Sequence, residues 1–168
     1  MSIKPSEEET INLPLVNLYE TDFYAWTQRQ AELLRQHQLD CLDIENLIEE
    51  IDSLGKQQQQ ELVNRLGVLL GHLLKWEYQS SKRSRSWVAT IREQRRKIAK
   101  LLQKNPSLKP YLDEAIQEAY PDGVDLAVRE TLMEYRTFPS EVPYTWQQIE
   151  SADFLPGFLN DSDEDLLK

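Results

Sequence analysis

Apolar side chains recur at intervals of three and four along most of this 168-residue chain, the spacing of amphipathic helices. Phe23, Trp26, Gln30, Leu33 and Leu34 predict a helix from Thr21 or Asp22 to about His37, with a short polar residue as N-cap. Asp43 is placed to cap a second helix, in which Ile44, Leu47, Ile48, Ile51 and Leu54 share one arc. At about 100° per residue, Leu62, Leu66, Leu69, Leu73 and Trp76 stay near that arc, so one long helix from 43 to about 78 is expected. A break at Gly55 is the alternative, since glycine costs on the order of 1 kcal/mol in a helix interior and serves as a C-terminal cap. Trp87, Ile91, Gln94, Ile98, Leu101 and Leu102 predict a further helix ending near Asn105-Pro106. Ser107 and Pro110 open the next, through Leu112, Ala115, Ile116 and Ala119. Pro121-Asp122-Gly123 is expected to kink or end it before a helical pattern resumes at Leu126, Val128 and Leu132. Past Phe138-Pro139 the pattern turns irregular, with a capping box at Thr145–Gln148 and a short helix carrying Trp146 and Ile149.

These elements predict an all-α, up-and-down bundle of about five helices with a short C-terminal lid. Residues 1–18 are expected to be a flexible arm that docks through Leu13, Leu15, Val16 and Leu18. Residues 19–158 are read as a single bundle domain and 159–168 as an acidic, disordered tail. Composition agrees, with 25 Leu against 7 Val and 9 Ile, and only 5 Gly for the turns of an all-β fold. Cys41 is the only cysteine, which excludes an intramolecular disulfide and leaves a small hydrophobe. The longest apolar stretch, Leu66–Leu74, is too short to cross a bilayer, and MSIKPSEEET lacks the basic start and apolar core of a signal sequence. A cytoplasmic protein without membrane contact is expected.

The net charge of −10 conceals blocks of opposite sign. Residues 1–54 carry 3 basic and 12 acidic side chains, residues 55–109 carry 13 and 3, and residues 110–168 carry 3 and 14. A cationic cassette between anionic ends serves either a polyanion or internal complementarity between packed helices.

Four blocks of the chain stand together: LYETDFYAWTQRQAELLR, DIENLIEEIDSLGK, HLLKWEYQSSKRSRSWVATIREQRRKIAKLL and FPSEVPYTWQQIESADFLP. In order, spacing and content they resemble the bacterial domain of unknown function 29 family, from Tyr19 to Pro156, with the pairing of HLLKW and RSRSW the most specific feature. The resemblance implies an all-helical up-and-down bundle from a family widespread in photosynthetic bacteria, and no established activity. The chain departs from the family at Pro121-Asp122-Gly123, in a region the resemblance implies to be helical.

In helical projection Glu50 borders the apolar arc, Arg65 and His72 fall inside it, and Arg95 sits beside Leu102. Four ionisable residues are thus aimed at or near a bundle interior, where an unpaired charge costs several kcal/mol. One reading is a buried ion-pair and hydrogen-bond cluster that fixes helix register. The other is an active site, with Glu50 as base, His72 as acid and Arg95 gripping a small anionic substrate. Glu49 or Glu50 with His72 would be the metal ligands, but Glu-x-x-His is absent and His37 and His72 are the only histidines, so neither a metal nor another cofactor is expected. Glycine loops for phosphate, His-Glu-x-x-His and Gly-x-Ser-x-Gly are absent too. Arg83, Arg85 and Trp87, followed by Arg92, Arg96, Lys100 and Lys104 on one helix face, form a candidate nucleic-acid surface, with nuclease chemistry at Glu49, Glu50 and His72 as its extension. The four tryptophans are read as core and lid. The leading functional reading is a small non-enzymatic regulatory or protein-interaction module, with a protein partner or a homo-oligomer. Nucleic-acid association and an enzyme for a small anion are the alternatives.

Overall fold

The computed structural model of the protein describes residues 15–157 and 161–167. Seven α-helices are formed among them: α1 Leu15–Thr21, α2 Phe23–Arg35, α3 Ile44–Tyr78, α4 Arg85–Lys104, α5 Leu112–Thr131, α6 Trp146–Glu150 and α7 Asp161–Leu167. The fold is an all-α helical bundle. The expected N-terminal arm lies outside the described residues as far as residue 14, and its remainder begins α1. The tail is corrected: Asp161–Leu167 is helical, and residues 158–160 and 168 lie outside the described residues.

Two compact units divide the chain at Gly55. In the first, Asp22 caps α2 by accepting from the Ala25 amide at 2.9 Å. Tyr19, Phe23 and Trp26 pack their rings together, with centroids 4.9 to 5.8 Å apart. Trp26 Nε1 donates to Asp43 at 3.0 Å, and the Asp43 amide donates to the Gln30 side chain at 3.0 Å, which fixes the start of α3. Helix α2 ends two residues earlier than expected, with His37 in the left-handed region. Cys41 is exposed in a 3-10 turn, so the reading of it as a packed hydrophobe does not describe its surroundings.

Helix α3 is continuous through Gly55, as its unbroken phase anticipates. A Cβ at Gly55 would meet nothing within 4 Å. Gly55→Ala is therefore expected to raise stability by about 0.5–1 kcal/mol, read as a higher urea midpoint.

The second unit places α3, α4 and α5 up, down and up. Lys75 meets Trp87 and Asn105 meets Gln58, so α4 returns antiparallel to α3. Gly67 faces Ala119 and Asp122, Gly71 faces Gly123 and Leu126, and Gln79 reaches Thr131, so α5 runs parallel to α3. Leu66, Leu69, Leu70, Leu73, Ile91, Ile98, Ala115 and Ala119 are in the core between them. Contrary to the expected interruption, α5 passes through Pro121 and Gly123. Pro121 and Gln117, the residue whose carbonyl it leaves without an amide partner, are both exposed, on the face of α5 where the loss costs least. The lid spans residues 132–157 with the expected capping box at Thr145. Tyr120 Oη donates to Pro139 O at 2.8 Å and Tyr144 Oη to Glu77 at 2.6 Å, tying the lid to α5 and α3. No helix among the described residues is long and apolar enough to cross a membrane.

Candidate functional site

The HLLKW and RSRSW motifs meet at the corner between α3 and α4. Lys75, only 2% exposed, holds its ammonium 4.2 Å from the centre of the Trp87 ring and pairs with Glu130 of α5. In the opposite sense Arg83 lies 4.8 Å from the centre of the Trp76 ring and donates through Nε to Trp76 O at 2.9 Å. Each motif thus supplies a tryptophan for the other's cation, a double cation–π clasp that closes the turn. Its charges are neutralised from elsewhere, Lys75 by Glu130 and Arg83 by Asp163 of α7 at 2.6 Å, an ion pair buried on both sides.

Of the four ionisable residues aimed inward, Glu50 lies in the first unit and Arg65, His72 and Arg95 in the second, each with partners of its own. Glu50 belongs to the first unit, where it accepts from Tyr19 Oη at 2.7 Å and pushes that phenol up to about 12. Arg65 pairs with Glu61 on its own helix and reaches Gln94 at 3.4 Å. His72 is buried beside Val68 O, 2.9 Å from Nδ1, which makes Nδ1 the protonated nitrogen of the neutral ring. Burial holds its pKa below the usual histidine value, Lys75 lowers it further, and the Val68 carbonyl and Glu130 oppose the shift. Arg95 is buried with Nε 2.8 Å from Ile149 O and Nη2 2.7 Å from Phe154 O, and longer bonds to Gln148 O and Ala152 O. Burial lowers its pKa to about 10, with Asp153 opposing, so it stays charged at neutral pH. No hydrogen bond or ion pair joins any two of Arg65, His72 and Arg95 among the described residues. Nor does any group of three His, Cys, Asp or Glu side chains gather there as a metal site would need, and Glu49 stands exposed in the first unit.

Arg95 is instead a clamp, four carbonyls of the lid converging on one guanidinium. A cavity of about 340 Å³ lies beside it, lined by Leu69, Ile98, Leu102, Lys109, Trp146 and Glu150. Arg95→Lys keeps the charge and loses the fork. It is expected to cost about 2 kcal/mol and to speed amide exchange in residues 146–155 selectively.

In the cationic cassette, α7 lies against the first half of α4 and the turn before it. Besides Arg83 and Asp163, Arg85 donates to Asp165 O at 3.4 Å and Arg92 to Leu167 O at 2.8 Å. Arg96, Lys100 and Lys104 face outward along the same helix.

The apolar arc of α3 divides at Gly55. From Leu62 on it is core, but Ile44, Ile48, Ile51 and Leu54 are 51, 56, 63 and 59% exposed. They line one face over three turns.

A model of the family described as domain of unknown function DUF29 matches residues 18–155. The chain belongs to the DUF29 family. No curated protein and no solved structure matches it. The match takes in both units of this DUF29 chain, the clasp and the clamp together.

Sequence reasoning missed Lys75, Glu130, Asp163 and the Tyr144–Glu77 pair of this DUF29 protein. For Lys75 a signal existed: Leu66–Trp76 is apolar or glycine on every helical face, which marks a central helix and buries whatever it carries. The partners of Lys75 and Arg83 lie 55 and 80 residues away in the chain, beyond any local pattern.

Proposed function

We propose that this DUF29 chain is a small non-enzymatic protein-interaction module whose docking surface is the face of α3 formed by Ile44, Ile48, Ile51 and Leu54. The observation that carries the reading is the exposure of these four large apolar side chains side by side, since contiguous exposed apolar surface marks interaction sites. The partner bonds of Glu50, Arg65, His72 and Arg95 support it further: each has a structural role that accounts for its position.

The test is a photo-crosslinker in the full chain, Ile51→p-benzoylphenylalanine, irradiated in an extract of the source cells. A discrete adduct with another polypeptide is expected, and Ile44→Asp with Ile48→Asp should abolish it while changing stability by no more than about 0.5 kcal/mol. An adduct no stronger than from Arg96→p-benzoylphenylalanine, or one confined to the chain's own residues 1–14, overturns the reading.

A further inference from the structure

We infer that the occupant of the α3 face is an amphipathic helix bordered by lysine and arginine, an inference that rests on the reading of that face as a docking surface. The shape of the face specifies a helix. Ile44, Leu47, Ile51 and Leu54 follow the three-four-three spacing of a coiled-coil seam, with Ile48 beside it. The strip is about 15 Å long at 1.5 Å per residue, matched to three turns of a helix lying along it.

Charge specifies the partner's borders. With Ile44 set at 0°, the apolar residues lie between about −80° and +40°, Asp52, Glu45 and Glu49 follow from about 80° to 140°, and Glu50 stands near −120°. Carboxylates therefore flank the strip on both sides. Glu45, Glu49 and Asp52 are exposed and form no ion pair among the described residues, whereas Glu50 is held by Tyr19. The basic residues before Gly55 are Lys4, Arg29 and Arg35, of which Arg35 pairs with Glu32. A second copy docking through the same face would set carboxylate borders against carboxylate borders, which opposes association, while a cationic border turns them into attraction and fixes register. The same argument disfavours residues 1–14 as the occupant, for they hold three glutamates and one lysine.

Two fluorescent peptides of about 18 residues, identical in a leucine stripe and bordered by either lysine or glutamate, distinguish the possibilities when titrated against the full chain by anisotropy. At about 50 mM salt the lysine-bordered peptide is expected to bind at least ten-fold more tightly than the other, and the ratio should shrink at about 300 mM. Ile48→Asp should abolish binding, and joint Glu45→Lys, Glu49→Lys and Asp52→Lys should invert the preference. Equal binding of both peptides overturns the charge assignment and leaves the docking surface standing. Binding of the cationic peptide that survives Ile48→Asp overturns the assignment as well, being attraction to an acidic protein at large. If neither peptide binds, sedimentation velocity decides: a dimer lost in Ile48→Asp makes a second copy the occupant and overturns this inference alone, and a monomer overturns both readings.

Discussion

Gly71→Ala is expected to lower stability by about 1–3 kcal/mol, measured by urea denaturation followed by circular dichroism. A Cβ at position 71 would lie 2.9 Å from Gly123 O and 2.8 Å from Leu126 Cδ2. The leucine can turn aside, but the carbonyl belongs to the backbone of α5 and moves only if the helices part. A Cβ at Gly123 would reciprocally come within 3.1 Å of Gly67 O, Gly71 N and Leu70 Cβ. Backbone touches backbone along this crossing, and parting it opens gaps around Leu70, Leu73 and Ala119 in the core. Gly71→Ala and Gly123→Ala together should cost less than their sum, because the first already separates the helices. A Gly71→Ala protein as stable as the parent would show that the crossing is looser than its geometry. The contrast with Gly55→Ala, the same substitution in the same helix with the opposite sign, isolates packing from helix propensity.

Glu130→Gln is expected to destabilise by about 1–3 kcal/mol, less than for a pair buried on both sides because the Glu130 side chain is partly hydrated. What the substitution leaves behind is the reason for its size. Lys75 loses the carboxylate it pairs with while its ammonium stays enclosed by Trp87 and the core. The bond to Lys75 is also the chief cause holding Glu130 below the usual glutamate range. Lys75→Met combined with Glu130→Leu should recover most of the loss, since removing both charges removes the desolvation that made one of them costly, and methionine keeps contact with the Trp87 ring. Urea melts of the two single variants and the double variant close the cycle. A Glu130→Gln protein of unchanged stability would mean that the Trp87 face alone satisfies the ammonium.

Much of the helix order was legible because it depends on local spacing. A short polar cap at Thr21 or Asp22, of which Asp22 serves, α3 in phase across Gly55 and the capping box at Thr145 each need only neighbours in sequence. Coverage is a different property from amphipathicity. The arc from Ile44 to Leu54 and the arc from Leu62 to Trp76 have the same period, yet only the second is covered, by α4 and α5. Arg95 was legible as facing inward, but its acceptors are carbonyls of a segment 53 to 59 residues later, and backbone acceptors carry no signature in side-chain pattern. Pro121 misled because a proline's effect depends on which carbonyl it orphans, and Gln117 lies on the exposed face of α5. Of the cationic cassette, Arg83 meets a carboxylate 80 residues later, that of Asp163, while Arg85 and Arg92 meet backbone carbonyls of α7, contacts that charge blocks alone do not specify.

The uneven division of the apolar core sets where the chain opens first. Among the described residues of the first unit, Trp26 and Leu33 are the large apolar side chains fully out of water, whereas the second unit withdraws some twenty. Opening free energy follows such burial, so amide protection should be graded along α3 itself, low in the turns around Ile48 and approaching the global limit around Leu70. A single covalent helix then spans two levels of protection, and an occupant of its exposed turns would show itself as slowed exchange there, by the mass-action term that any ligand adds to the state it binds. Trp26, the one tryptophan before Gly55, gives that unit a fluorescent reporter of its own.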